Sequence, residues 1–487
     1  MDPMYEKFRA SEQIEKNLQT LDRLLGTDIS FDCIHLDLEY AGRKMALFFI
    51  DGFIKDDIFV YIMQGLAALR AEEIDERPLE RLMKTYIPYV EIAEEEDLAR
   101  AADFVLAGQA ALVIDGVDRV ILIDARTYPA RSPQEPDMER VVRGSRDGYV
   151  ETLVFNTALT RRRVRDRSLR MEYMQVGRRS KTDVVVCYIE DIADPELVSG
   201  IKSALEKIDT DGLPMAEKTI EEFISGQHWN PYPTVRYTER PDTAASHLFD
   251  GHVCIIVDGS PSVIITPTTF WHHLQHAEEY RNKPIVGAYL RFVRFLAVFA
   301  SIFLLPLWYL FVIEPNLLPE QFSYIGPNEQ GNVPLLLQFF LVEIGIDMLR
   351  MAAIHTPTSL ATALGLVAAL MIGQVAVEVG LFTNEVILYF SIAAIGTFAT
   401  PSYELSLANR IFRILLLVAT ALFKVPGFVA GIFIWIIFLL SMKSFNVPYL
   451  WPFIPFNFKA LSSILIRTPI PLKNRRPRPL HPRDPDR

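Results

Sequence analysis

The stretch Phe292–Ile313, FVRFLAVFASIFLLPLWYLFVI, decides the fold. Its one charge, Arg294, sits near its start. An apolar run of about 18 or more residues reads as a helix that crosses a bilayer. The chain on either side supports that reading. Positions 1 to about 285 are rich in Glu, Asp, Arg and Lys, whereas 286–457 carry long apolar runs with few charges. The shift divides the 487 residues into a soluble region and a membrane region. The expected fold class is an α/β soluble region of two related subdomains, followed by an α-helical polytopic membrane domain.

Charge around the run sets its direction. Arg281, Lys283, Arg291 and Arg294 gather at its start, while the next loop, EPNLLPEQFSYIGPNEQGN, has Glu but neither Lys nor Arg. Basic residues stay on the cytoplasmic side, so the first half of the chain is expected inside. Further segments are expected at 333–354, 358–378 and 385–400. The third is rich in small residues (Ala361, Ala363, Gly365, Ala369, Gly373), which suit close helix packing. The fourth returns to PSYELSLANRIFR, where Arg410 and Arg413 mark the inside. The stretch 411–442 would make a helix of about 48 Å, too long for one untilted span. Pro426-Gly427 near its middle predicts a hairpin of two short spans. The membrane domain, 285–457, then has six segments, and the basic Pro-rich tail 458–487 ends inside as a disordered, membrane-proximal segment.

The N-terminal segment, 1–27, is polar and helix-prone and shows no apolar core of a cleaved signal peptide. Two subdomains follow, 28–130 and 168–284. Each opens with apolar strands and an acidic turn, and each ends in a strand, a turn and a strand. The turns are Asp115-Gly116 and Asp258-Gly259, which are hairpin signals because Gly accepts positive φ. A basic linker, 131–167, joins them. Its loop RGSRDG and its arginines, Arg143, Arg146, Arg161, Arg162 and Arg163, suggest either an anion contact or a subunit interface. No Gly-Lys-Ser/Thr follows, so this is not a Walker loop. The structural reading, arginines paired with acidic neighbours, is favoured.

Other chemistry is sparse. Cys33, Cys187 and Cys254 lie far apart in strand-like runs and read as buried thiols. In WHHLQH, His272 and His276 are spaced for one helix face, but no acid or cysteine nearby completes a metal set. A membrane-surface helix accounts for Trp271 and these histidines better. No catalytic constellation stands out, so no enzyme, cofactor or metal is expected. A net charge of −11 argues against nucleic acid as a partner.

One feature of the membrane half asks for a function. Within FFLVEIGIDMLRMAAI, Phe339–Ile354, the residues Glu343, Asp347 and Arg350 are spaced four and three apart, on one helix face. A charge deep in lipid costs about 3 kcal/mol or more. Internal pairing, a water-filled ion path, and an interfacial helix all fit these residues. Gln374 and Glu378 are further polar groups in an apolar run.

Four stretches carry a resemblance to a known family: VVRGSRDGYVETLVFNTALTRRRVR (141–165), IGQVAVEVGLF (372–382), ATPSYELSLANRIFR (399–413) and SFNVPYLWPFIPFN (444–457). Together they resemble the GerA family of spore germination proteins, A-subunit type, over nearly the whole chain. Residues 341–365 look more like the stage V sporulation protein AF branch than like the nutrient-receptor A subunits. The resemblance implies a place in the spore inner membrane, with both termini on the core side. It implies a homo-oligomeric ring whose membrane part conducts monovalent cations during germination. It also implies work beside a B-type transporter-like membrane subunit and a C-type lipoprotein, in contact with membrane lipid. With that prior, Glu343 and Asp347 become candidate cation-attracting groups, Arg350 their partner or a charge at the mouth, and Gln374 and Glu378 further groups on the path. The alternative is a non-conducting scaffold or signal-transmitting subunit.

Overall fold

The computed structural model describes residues 7–54, 56–70, 82–87, 91–126, 139–326, 331–355, 365, 367 and 371–486. The first unit runs α1 (Ile14–Leu25), β1 (Cys33–Tyr40), β2 (Arg43–Ile50), α2 (Asp56–Ala67), β3 (Ile92–Glu95), α3 (Leu98–Leu106), β4 (Ala110–Ile114) and β5 (Val120–Ile123). Its strands form one sheet in the order β1-β2-β4-β5-β3, with every pair antiparallel. The second unit opens with α4 (Leu153–Arg163), then β6 (Leu169–Val176), β7 (Thr182–Ile189), α5 (Pro195–Glu206), α6 (Ala216–Ser225), β8 (Arg236–Thr238), α7 (Pro241–Asp250), β9 (Val253–Val257) and β10 (Val263–Thr266). Its sheet repeats the same order, β6-β7-β9-β10-β8, again antiparallel throughout.

The central strands of both sheets are buried on two faces, which is why they read as continuous apolar runs, whereas the edge strands β1 and β6 mix polar and apolar residues. In the first unit Ala46, Phe48, Val113 and Leu122 pack against α1 and α3, while Met45, Leu47, Leu112 and Ile121 pack toward α2. In the second, Val185, Cys187, Ile256 and Ile265 meet α4 and α7, and Val184, Val186, Ile255 and Ile264 meet α5 and α6.

The repeat extends to single hydrogen bonds. The turn residues Gly116 and Gly259 take φ of 81° and 83°, as the two Asp-Gly signals predict. Each turn reaches the start of its unit's first helix. Asp115 Oδ1 accepts from Ile14 N–H at 3.4 Å, and Asp258 Oδ1 accepts from Leu153 N–H at 3.0 Å. Gly116 N–H donates to the Glu12 carbonyl and Gly259 N–H to the Glu151 carbonyl, at 2.8 and 2.7 Å. Asn17 and Asn156 each fold back on the residue six positions earlier, by the same two bonds. The helix at 153–163 is therefore the opening helix of the second unit rather than a linker. Its Leu153 and Leu159 enter that unit's core. Likewise α1 belongs to the core of the first unit through Ile14, Leu21 and Leu25.

The second half is helical: α8 (Ala277–Arg281), α9 (Pro284–Ile313), α10 (Leu335–His355), α11 (Asn384–Phe398), α12 (Tyr403–Ser441) and α13 (Phe458–Leu465). Among the described residues, α9 and α12 are long and apolar enough to cross a membrane. Most of the expected segment 358–378, with Ala361, Ala363 and Ala369, lies outside the described residues.

α12 is a hairpin. At Lys424 the backbone takes φ 53°, ψ −131°, and Pro426 and Gly427 follow. Two arms, 403–423 and 425–441, fold together. Phe412 stacks on Trp435 at 5.0 Å, and Gly431 lies against Leu416. The arms are about 31 and 26 Å long at 1.5 Å per residue, each near the thickness of a bilayer's hydrocarbon core. Lys424 pairs with Glu314 at 2.6 Å, at the far end of α9, whereas Trp435 donates to the Tyr232 hydroxyl of the second unit at 2.7 Å.

The C-terminal tail is ordered, unlike the disordered segment expected. Lys473 pairs with Asp250 at 2.9 Å, Arg476 donates to the Phe249 carbonyl, and Leu480 is buried. The second unit offers a carboxylate and open carbonyls, and these satisfy charges that composition alone would assign to water.

Candidate functional site

The acidic face of α10 meets the first arm of α12. Glu343 is buried, and both of its oxygens accept from Arg413, at 2.8 and 2.9 Å. Arg410 donates to Glu343 and to Asp347, and reaches the Glu343 carbonyl at 3.1 Å. Arg350 donates to Asp347 at 2.7 Å. Arg413 also donates to the Ser301 carbonyl of α9 at 2.8 Å and lies over the Phe390 ring of α11. Five ionisable groups on two helices are thus joined, and two more helices close around them. Two carboxylates face three guanidiniums, a formal charge of +1.

Local sequence explains the meeting. Ser402 caps α12 by accepting from Leu405 N–H, so the helix starts at Tyr403, and Arg410 and Arg413 lie two to three turns inside it. They are not the loop residues that the positive-inside reading made of them. Their three-residue spacing matches the four-residue spacing of Glu343 and Asp347 across the helix contact. That complementarity was the available signal. Asn409 is also buried, and neither amide atom has a hydrogen-bond partner among the described residues.

The other candidate groups lie elsewhere. Gln374 and Glu378 are exposed, and no hydrogen bond joins them to this cluster among the described residues. Arg161 lies inside the fold rather than at a surface. It is wholly buried, and its fork donates to Asp32 at 2.9 and 3.0 Å. It also reaches the Leu169 carbonyl, so it staples the first unit to the second. Arg163 is held by Asp147 at 2.6 Å. Arg143, Arg146 and Arg162 are exposed. The five arginines form no single site, because the buried one is already spent on a carboxylate.

His273 is buried and His272 and His276 are half-buried, rather than spread on a surface helix. His272 and His273 sit in a short 3-10 turn, Phe270–Leu274, and the rings of His247, His252 and His272 lie 5.0–5.8 Å apart. Burial pushes their basicity down, His252 to about 4 and His273 to about 3. Among the described residues no group of His, Cys, Asp and Glu is arranged to hold a metal ion. The three cysteines are buried and unpaired, and burial pushes the Cys33 thiol up to about 12.

Comparison with known proteins finds relatives over nearly the whole chain. Residues 19–479 match a family described as Bacillus/Clostridium GerA spore germination protein. The chain is 50% identical to stage V sporulation protein AF of Bacillus subtilis (strain 168), over 99% of this chain and 98% of that one. It is 29% identical to spore germination protein KA of the same organism, over 96% and 86%. A crystal structure of the N-terminal domain of the A subunit of the Bacillus megaterium spore germinant receptor GerK3 matches with 25% identity and a TM-score of 0.44. That match covers 54% of this chain and 98% of the other.

Proposed function

The chain belongs to the GerA family of spore germination proteins, and on that premise we propose that it is an A-type membrane subunit whose helical half forms part of a path for monovalent cations. In this reading it sits in the spore inner membrane with the α/β half on the core side. It assembles as a ring beside a B-type membrane subunit and a C-type lipoprotein. The observation that carries the reading is the cluster around Glu343. Ionisable groups inside apolar helices are costly, at about 3 kcal/mol or more each, and they commonly mark ion pathways or the elements that gate them. Glu343 is saturated by Arg410 and Arg413, so it acts as the lock between α10 and α12. Asp347 accepts from Arg350 and Arg410 but keeps 36% of its side chain exposed, so it is the carboxylate of the cluster that would face a path.

A second reading has its own observation. Because both Glu343 oxygens are taken by arginine, the cluster is also what a non-conducting scaffold would use to hold its helices together.

Ion flux from liposomes holding the purified chain, with and without its B-type partner, separates the two. Protein-dependent flux whose cation preference changes in Asp347→Asn, and whose basal leak rises in Glu343→Gln, is the expected result. No flux from well-assembled protein with the partner present leaves the scaffold.

A further inference from the structure

After the hairpin returns, the chain runs along the bundle instead of leaving it. Residues 453–472 carry large apolar side chains turned outward. Phe456, Phe458, Ile466, Ile470 and Leu472 are 64–73% exposed. Water is a poor solvent for such a patch, and single chains seldom expose one this size without a surface to meet it.

Several polar groups of the same segment are engaged inward. The Asn457 side chain caps α13 by accepting from Ala460 N–H at 3.1 Å. Arg291, buried in the second turn of α9, donates to the carbonyls of Ser463 and Ile464 at 3.0 and 2.8 Å and pairs with buried Glu279 at 2.7 Å. Arg467, also buried, donates to the carbonyls of Asn282 and Tyr280. These bonds tie the segment to the residues where α9 begins. There the first turns of α9 are themselves apolar and exposed, at Ile285, Tyr289 and Phe292. Trp271, from the α/β side, stacks on Phe453 at 5.0 Å and meets Phe295 of α9 edge-on. Aromatic rings concentrated at one end of a span are the mark of a bilayer's interfacial layer.

We propose that residues 453–472 form an amphipathic collar lying in the plane of the membrane interface on the side of the α/β half. Its apolar face enters the boundary between headgroups and acyl chains, and Arg467 of the collar and Arg291 of α9 hold it against the start of that helix. The occupant of the patch is lipid, because the patch is continuous with the exposed start of a helix long and apolar enough to span. The collar fixes the depth of the bundle and keeps the second unit's Tyr232 and Trp271 at the membrane surface. The inference rests on the membrane placement of α9.

Nitroxide accessibility tests it on the full chain in vesicles of phosphatidylethanolamine and phosphatidylglycerol. Single substitutions Phe456→Cys, Phe458→Cys, Ile466→Cys and Ile470→Cys report the collar. Phe299→Cys reports the exposed face of α9, and Arg179→Cys, exposed in the turn between β6 and β7, reports water. The three native cysteines are buried, and the unsubstituted chain gives their background. Collar sites are expected to collide with oxygen and to meet a water-soluble nickel chelate several-fold less than position 179. Nickel collision equal to that at 179 overturns the collar. So does protection from both reagents, which would mean a second copy or another protein covers the face. If Phe299→Cys also behaves as water-exposed, the membrane placement itself has failed. If only the collar sites do, the collar alone has.

Discussion

Arg161 and Arg413 carry the same chemistry into two different interiors. Each guanidinium is nearly or fully buried, and each forks onto a carboxylate far away in sequence, Asp32 in one case and Glu343 in the other. A buried pair adds little net stability, but breaking one leaves an uncompensated charge, which costs about 3–5 kcal/mol. Arg161→Ala is therefore expected to destabilise the α/β half by about that much in denaturant unfolding of the purified protein. Arg161→Lys should lose less, because it keeps the charge while giving up the fork. In the helical half, Glu343→Leu should lower the detergent melting temperature more than the double variant Arg413→Leu with Glu343→Leu. The single change strands the Arg413 guanidinium without its carboxylate, whereas the double change removes that charge too and Arg410 keeps Asp347. An equal or greater loss in the double variant would remove the pairing argument. The sequence placed Glu343, Asp347 and Arg350 on one face correctly, because helical spacing is local. It could not name Arg410 and Arg413 as partners, because that choice depends on how α10 lies against α12.

The elements show how far a local signal reaches. Both Asp-Gly turns were legible in the sequence, yet their second role was not. Each aspartate also serves the start of a helix about a hundred residues earlier. Losing such a cap costs about 1 kcal/mol. Asp258→Ala should cost near that figure, and Asp115→Ala less, since its bond is the longer; unfolding midpoints of the two variants compare them. The α12 hairpin was predicted from length and Pro426-Gly427, and Lys424 makes the turn through a conformation that L-residues seldom adopt. Lys424→Gly should thus be neutral or stabilising by about 0.5–1 kcal/mol. A cysteine at 424 should react with an impermeant reagent from the side opposite the α/β half. Labelling from the α/β side would refute the hairpin.

At the scale of the whole molecule, the second unit, the tail and the helical bundle meet around buried histidines. His252 and His273 stay neutral in the fold to about pH 4 and 3, against an ordinary value of 6.5. The unfolded chain therefore binds protons first as pH falls. Stability from these groups is complete above pH about 6.5 and declines below it, by on the order of 1.4 kcal/mol per pH unit per histidine, until the folded groups titrate. Melting temperatures measured from neutral pH down to about pH 4.5 should fall steeply, and His252→Gln should flatten the slope. A flat profile in the native chain would show that these imidazoles are not the coupled groups. The tail's order is a whole-molecule effect too. Its basic, Pro-rich composition is that of a solvated segment, and the carboxylate and carbonyls of the second unit, with Arg291 of α9, hold it down.

By itself the sequence determined the division into a charged α/β half and an apolar helical half, the pair of Asp-Gly turns, the hairpin in 411–442 and the family. The first three follow from composition, periodicity and turn chemistry, which act over a few residues, and the family from the resemblance of four stretches of sequence. The tertiary structure alone decided that α4 opens the second unit, that Arg161 staples the two units, and that Arg410 and Arg413 neutralise Glu343. It also turned the apolar side of 453–472 outward. Those outcomes depend on which surfaces meet. A buried charge or an exposed phenylalanine is defined by neighbours far away in the sequence, and no local pattern records them.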